Sequence, residues 1–143
     1  MAATVIDSSV VAKWVLAESD SVLADAIATE AVRTGEPLIV LDIALVEVTN
    51  VIWKQHYRGL STIDEARQAL NDLLACPVQV ESAQRLLRPA LEIAAKYRRA
   101  VYDALFVALT QDLDVPGVTA DEPLHHAVHA DHPHIVLLRN WQP

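Results

Sequence analysis

The sequence predicts an α/β protein, a three-layer α/β/α sandwich around a mostly parallel central sheet of four to five strands. Three observations carry this. Short, solid apolar runs such as Leu38-Ile39-Val40-Leu41 alternate with longer segments of helical spacing. A strand apolar on both faces belongs to a sheet covered by helices on both sides. The length of 143 residues suits one domain, read as residues 1–143; such a chain can bury about 68–70% of its unfolded surface. With only 3 glycines, and no repeat or low-complexity tract, loops must be short or built on Pro, Asp and Ser.

Each element follows from local signals. Thr4-Val5-Ile6 is a short β-branched run ahead of Asp7-Ser8-Ser9, so a buried strand feeds a helix capped by Asp7 or Ser8. That helix runs from Val10 to Ala17 and carries Trp14. Ser21 to Thr34 is a second helix, closed by Gly35. Pro37 to Leu41 is the second strand. Ile43 to Tyr57 is helical, with Ala44, Val48, Val51 and Ile52 as its apolar stripe, and Arg58-Gly59 ends it. Ser61 to Asp64 opens a helix reaching Ala75. Pro77 to Val80 is a third strand, and Ser82 to Arg98 is helical with a kink or break at Pro89. Tyr102 to Asp112 is helical, Pro116 to Thr119 a fourth strand, and Asp121 caps a short helix to His129. Ile135 to Leu138 is the last strand.

Composition removes several classes. At 52% hydrophobic and 21% charged residues, the chain is neither a disordered tail nor an acidic low-complexity protein. The single cysteine, Cys76, excludes a disulfide framework and a zinc ribbon, and fits a reducing, cytoplasmic setting. No export signal is expected: Met1 to Thr4 carry no basic side chain, and Asp7 cuts the apolar stretch that follows. No membrane segment is expected either, because the most apolar region, Leu38 to Ile52, contains Asp42, Glu47 and Asn50. The net charge of −8 argues, on its face, against a nucleic-acid partner, whose phosphates are usually met by Lys and Arg.

Four acids stand out. Asp7 and Asp121 follow the first and fourth strands, so they share one edge of the sheet. Glu47 lies in the first turns of the helix after strand two, and Asp103 opens the helix Tyr102 to Asp112 within an apolar stretch. Ligands of such sheets sit at the carboxyl ends of the strands. Two carboxylates ~6 Å apart repel by roughly 3 kcal/mol at an effective dielectric of 20, so convergence demands protonation or a cation. Hard oxygen donors suit Mg²⁺ or Mn²⁺, which activate water and stabilise phosphoryl charge. Such a cluster points to phosphodiester hydrolysis rather than acyl transfer. The same residues admit plainer readings: Asp7, Asp103 and Asp121 as helix caps, Glu47 on a surface stripe.

Other charged groups carry two readings each. Arg85, Arg88, Lys96, Arg98 and Arg99 form a phosphate-facing strip or a solvated helix face, with Arg99–Asp103 and Arg88–Glu92 as i,i+4 pairs. Lys13, Lys54 and Arg58 flank Trp14, Trp53 and Tyr57, which stack on RNA bases or pack in a core or interface. Five histidines crowd the C-terminal part, with His125 and His129 on one helix face, but no Cys is near to complete a zinc site. Phosphate-loop, dinucleotide and nucleophile-elbow motifs are absent.

Taken together, Val5-Ile6-Asp7-Ser8-Ser9-Val10, Glu47-Val48-Thr49-Asn50-Val51, Tyr102-Asp103-Ala104-Leu105 and Val118-Thr119-Ala120-Asp121 resemble the PIN-domain ribonucleases. The chain length is similar to that of the VapC toxins of type II toxin–antitoxin systems. The resemblance implies a PIN-like domain over essentially the whole chain. It implies that Asp7, Glu47, Asp103 and Asp121 are the acidic quartet that binds Mg²⁺ or Mn²⁺, with Asp7 and Asp103 the leading metal ligands. Ser8 and Thr119 match supporting hydroxyls, and Asn50 a hydrogen-bonding group one helical turn after Glu47. Lys13, Lys54, Arg58, Arg98 and Arg99 are candidate RNA contacts. The implied activity is endonucleolytic cleavage of RNA, of the transfer or ribosomal class, inhibiting translation and growth. The implied partners are a VapB-like antitoxin, whose arginine enters the acids, and a second copy of the chain. The helices Ile43 to Tyr57 and Ile63 to Leu74 offer the faces for that homodimer. The rival readings are a housekeeping PIN nuclease of RNA processing and a non-catalytic module that receives a basic peptide.

Overall fold

The computed structural model describes residues 2–143. Five strands alternate with helices: β1 (Thr4–Ile6), β2 (Leu38–Leu41), β3 (Gln79–Glu81), β4 (Gly117–Thr119) and β5 (Ile135–Leu137). They form one sheet in the order β3-β2-β1-β4-β5, and every pairing is parallel. The chain therefore winds outward from β1 to β3, returns to β4 on the other side of β1, and ends at β5. The reversal falls between β1 and β4, and the crevice at their carboxyl ends is where such sheets take ligands.

Right-handed crossovers place the helices before the reversal on one face and those after it on the other. The first group is α1 (Ser8–Val15), α2 (Ser21–Thr34), α3 (Asp42–Tyr57) and α4 (Ile63–Leu74). The second is α5 (Leu87–Tyr97), α6 (Val101–Leu113) and α7 (Glu122–Val128). The contacts agree: α1 packs on α2, α3 and α4, while α5 packs on α6, which lies against β1, β2 and β4. The three-layer expectation holds, with all five strands parallel.

Helix ends follow their capping chemistry. Asp7 and Asp121 are N-caps of α1 and α7, Gly35 closes α2 with φ +73°, and Thr62 with Glu65 forms a reciprocal capping box at α4. Two expectations need correction. The third strand starts two residues later than Pro77 and is not buried: Val80 is 50% exposed, because β3 is an edge strand paired only to β2. Pro89 does not break a helix. A 3-10 turn at Gln84–Leu86 precedes α5, and Pro89 lies in the first turn of α5, where its missing N–H had no acceptor to lose. In α3, Ala44, Val48 and Ile52 are buried as expected, whereas Val51 turns toward a cleft described below.

The tightest layer contact is α6 against β4. A Cβ at Gly117 would lie 2.6 Å from Thr110 Cγ2 and 2.8 Å from Phe106 Cζ, both buried side chains. Gly117→Ala should therefore cost about 1–3 kcal/mol in urea denaturation, by overpacking this seam; an unchanged midpoint would contradict it.

Candidate active site

The β1–β4 crevice is built around Asp7. Its backbone N–H donates to Val118 O at 3.0 Å, which continues the ladder beyond β1. Its carboxylate accepts three hydrogen bonds: Ser8 N–H at 2.9 Å on Oδ1, and the hydroxyls of Ser9 at 2.8 Å and Thr119 at 2.7 Å on Oδ2. Ser9 Oγ also accepts from Ala120 N–H across the crevice at 2.9 Å, and Thr119 Oγ1 accepts from Asp121 N–H of its own loop at 3.0 Å. Three hydrogen bonds, Asp7 N–H to Val118 O, Thr119 Oγ1 to Asp7 and Ala120 N–H to Ser9 Oγ, thus tie the end of β1 to the end of β4. Of the supporting hydroxyls expected, Thr119 bonds Asp7 as its position implies, but the second is supplied by Ser9 rather than Ser8. The second residue of a helix capped by Asp is well placed to bond its cap, so the spacing Asp-x-Ser was the available signal.

The other acids reach this crevice from separate elements. Asp121 caps α7 through Oδ1, which accepts Leu124 N–H at 3.0 Å. Asp103 stands in the first turn of α6, whose N-cap is Ala100, so Asp103 caps nothing. Its Oδ2 accepts from Arg99 Nη2 at 3.0 Å, and the same nitrogen is 3.8 Å from Asp121 Oδ2. Glu47 comes from α3. The Arg99–Asp103 pair is the one expected from spacing, but Arg99 is not on a helix: it lies in the connection between α5 and α6 and points into the acids. Arg85 is committed to Asp112 and Glu81, and Lys96 to Asp131.

Electrostatics show the acids feel one another. Burial pushes the Asp7 carboxyl above its usual range; its hydroxyl partners oppose this, and the charges of Asp103 and Asp121 add to it. Burial also raises Asp103, with Arg99 opposing and Asp121 adding. Glu47 is pushed up to about 7 by burial, then by the charges of Asp7 and Asp103, with the Ser8 hydroxyl opposing. Ser8 bonds Asp7 through its amide and lies beside Glu47 in the same cleft. This is negative charge without enough compensation, and its donors are all oxygen. The residues fit a hard divalent cation. Among the described residues no three acid, histidine or thiol groups already stand close enough to hold an ion. Asp7 is engaged by three donors, and Arg99 occupies the Asp103–Asp121 side.

Beside the acids, a cleft of about 490 Å³ is lined by Glu47, Asn50, Val51 and Lys54 of α3, facing Ser8, Ser9 and Lys13 of α1. Lys13 is only 10% exposed and is anchored to Ser19 O at 2.6 Å and Glu18 at 3.3 Å. Asn50 is solvent-exposed in this cleft. Arg58 ends α3 and Arg98 ends α5 in the left-handed conformation, φ +55°; both are exposed and neither lines the cleft. His125 and His129 stack at 5.0 Å on α7, and His134 bonds Thr110 at 3.0 Å. Neither contact contributes to the crevice.

An all-oxygen acidic crevice at the reversal point of a parallel sheet defines a class of site suited to cation-assisted chemistry on anionic substrates. The comparisons narrow the class. The family model described as PIN domain matches residues 4–129. Over 122 residues the chain is 34% identical to Ribonuclease VapC3 of Pyrobaculum aerophilum, covering 84% of this chain and 90% of that protein. VapC20 of Mycobacterium tuberculosis, a toxin that cleaves the sarcin–ricin loop, superposes with a TM-score of 0.63 at 17% identity, over 87% of this chain and 94% of that one. VapBC2 of Rickettsia felis, solved on a DNA fragment from its promoter, gives 0.67 at 11% identity, over 94% and 96%. The chain belongs to the PIN-domain family, as a homologue of a VapC ribonuclease. No helix among the described residues is long and apolar enough to cross a membrane.

Glu47 generates a pH prediction. In the fold it holds a proton up to about 7, whereas an unfolded chain releases it near 4.5. Between those values the unfolded state binds fewer protons, so ionisation of Glu47 works against the fold increasingly as pH rises, and fully above 7. In the presence of a chelator, Glu47→Gln should melt with the parent protein near pH 4.5 and above it at pH 8. A difference in melting temperature that does not grow with pH would contradict this.

Proposed function

We propose that this protein is a Mg²⁺- or Mn²⁺-dependent endoribonuclease acting as the toxin of a toxin–antitoxin pair. The observation that carries the reading is the convergence of Asp7, Glu47, Asp103 and Asp121, from four separate elements, on the crevice of a VapC homologue. A divalent ion held by these carboxylates would lower the pKa of a bound water and stabilise charge on the phosphate. The chain's own residues do the rest. Ser9 and Thr119 fix the Asp7 carboxylate in orientation, as outer hydrogen bonds do for metal-binding acids. Glu47, which holds its proton up to about 7, would release it on joining the donors of a divalent ion. Lys13, Asn50 and Lys54 line the adjoining cleft, which suits the phosphates and sugars of a single RNA strand.

The acids also accept a guanidinium, as Arg99 demonstrates, so an arginine from a basic antitoxin segment has a matching receptor. Solved neighbours of similar fold include toxin–antitoxin complexes, from Klebsiella pneumoniae among others. Val46, Trp53 and Tyr57 leave an exposed apolar stripe along α3, with the Trp53 and Tyr57 rings stacked at 5.2 Å; this is the face we assign to a second copy. The functional setting is the cytoplasm, and the target RNA is of the transfer or ribosomal class.

Asp103→Asn separates chemistry from folding, because Asp103 caps no helix. The variant should keep its far-UV circular dichroism and lose Mg²⁺- or Mn²⁺-dependent cleavage of cellular RNA, and chelation should silence the parent protein in the same assay. Undiminished cleavage by the variant would refute the reading.

A further inference from the structure

Arg99 is a basic side chain inside the acid cluster. Its Nη2 bonds Asp103 and approaches Asp121, and the side chain is 27% exposed. The residue is held in place from behind: its N–H donates to Ala94 O at 3.2 Å, and Arg98 before it turns the chain in the left-handed conformation. The fit is incomplete, because Arg99 Nε is buried and has no hydrogen-bond partner. A guanidinium has donors on both edges, and here one edge is bonded while the Nε donor is not. Full neutralisation is not reached either: one cation faces two of the acids, Asp103 and Asp121, and meets neither Asp7 nor Glu47.

The oxygen atoms that Arg99 occupies are those a divalent ion would need. Asp103 Oδ2 cannot at once accept the guanidinium at 3.0 Å and coordinate a metal without bringing two cations into contact. We propose that Arg99 is an exchangeable internal counter-ion. It holds the Asp103–Asp121 side of the site in the ion-free protein, and divalent binding proceeds by expelling it. The inference rests on the metal-dependent reading above. It adds that ion affinity is set by a competition inside the chain as well as by the four acids.

The test is Mn²⁺ binding alone, by titration calorimetry, without RNA. Arg99→Ala should bind Mn²⁺ at least about tenfold more tightly than the parent, since a cation opposing the ion at close range has been removed. Arg99→Lys should stay nearer the parent. Arg33→Ala, which removes the same charge from α2, should leave affinity unchanged. Because Arg99→Ala could weaken the α5–α6 connection, a second measurement uses the unaltered protein. Its arginine Nε–Hε resonances are followed during Mg²⁺ titration, with the Arg99 signal assigned by its loss in Arg99→Lys. That signal should shift in proportion to bound Mg²⁺. Equal or weaker Mn²⁺ binding by a folded Arg99→Ala, or an Arg99 resonance unmoved at Mg²⁺ saturation, overturns the exchange and leaves the nuclease reading standing. No Mn²⁺ binding by either the parent or Arg99→Ala overturns both.

Discussion

The hydrogen bond from the Thr119 hydroxyl to Asp7 Oδ2, 2.7 Å long, joins the two strands whose carboxyl ends make the crevice. Most of the site depends on it. Val5 pairs with Gly117 and Ile6 with Val118, and this register sets Thr119 opposite Asp7. A slip of one residue would send the threonine to the other face of the sheet. Gly117 keeps the register close-packed by letting Phe106 and Thr110 of α6 sit directly on β4. The helix that seals the core under β4 is the one that carries Asp103. Core packing and the placement of two acids are therefore a single geometric problem.

The fold was legible where burial is two-sided. β1, β2, β4 and β5 read as apolar runs because helices cover both faces. β3 was misplaced because an edge strand is half solvated, and Gln79-Val80-Glu81 carries no such signature. The start of α5 was misread because Pro89 is compatible with a first turn as well as with a break. Among site residues, the acids could be found from their positions after strands and at helix starts. Ser9 is overshadowed by its neighbour Ser8, although of the two serines it is Ser9 that places its hydroxyl on Asp7. Spacing predicted that Arg99 meets Asp103. It carried no information on whether that contact faces solvent or a crevice, which is decided by how the α5–α6 connection folds back on itself.

The charge of −8 acquires a more specific meaning in the structure. Much of the positive charge is already spoken for: Arg33, Arg67, Arg85, Lys96 and Arg139 pair with nearby acids outside the crevice. Such exposed pairs contribute little stability, but they occupy side chains that would otherwise meet phosphate. The excess of carboxylate is felt most strongly where it is buried, at Asp7, Glu47 and Asp103. On the proposed reading, affinity for any anion would be subordinate to a cation held among those three.

Asp7 and Asp121 each serve two masters. One oxygen of each begins a helix, α1 or α7, and the remaining valence faces the crevice. The two duties have different chemical alphabets. Asparagine, serine and threonine can begin a helix but bring no charge. Glutamate brings the charge on a longer stem that no longer reaches its own amides. Aspartate combines both at positions 7 and 121, a cap for the helix and a charge beside the crevice. Positions 47 and 103 lie within helices and answer only to the crevice, which leaves them freer to vary in side-chain length if the backbone adjusts.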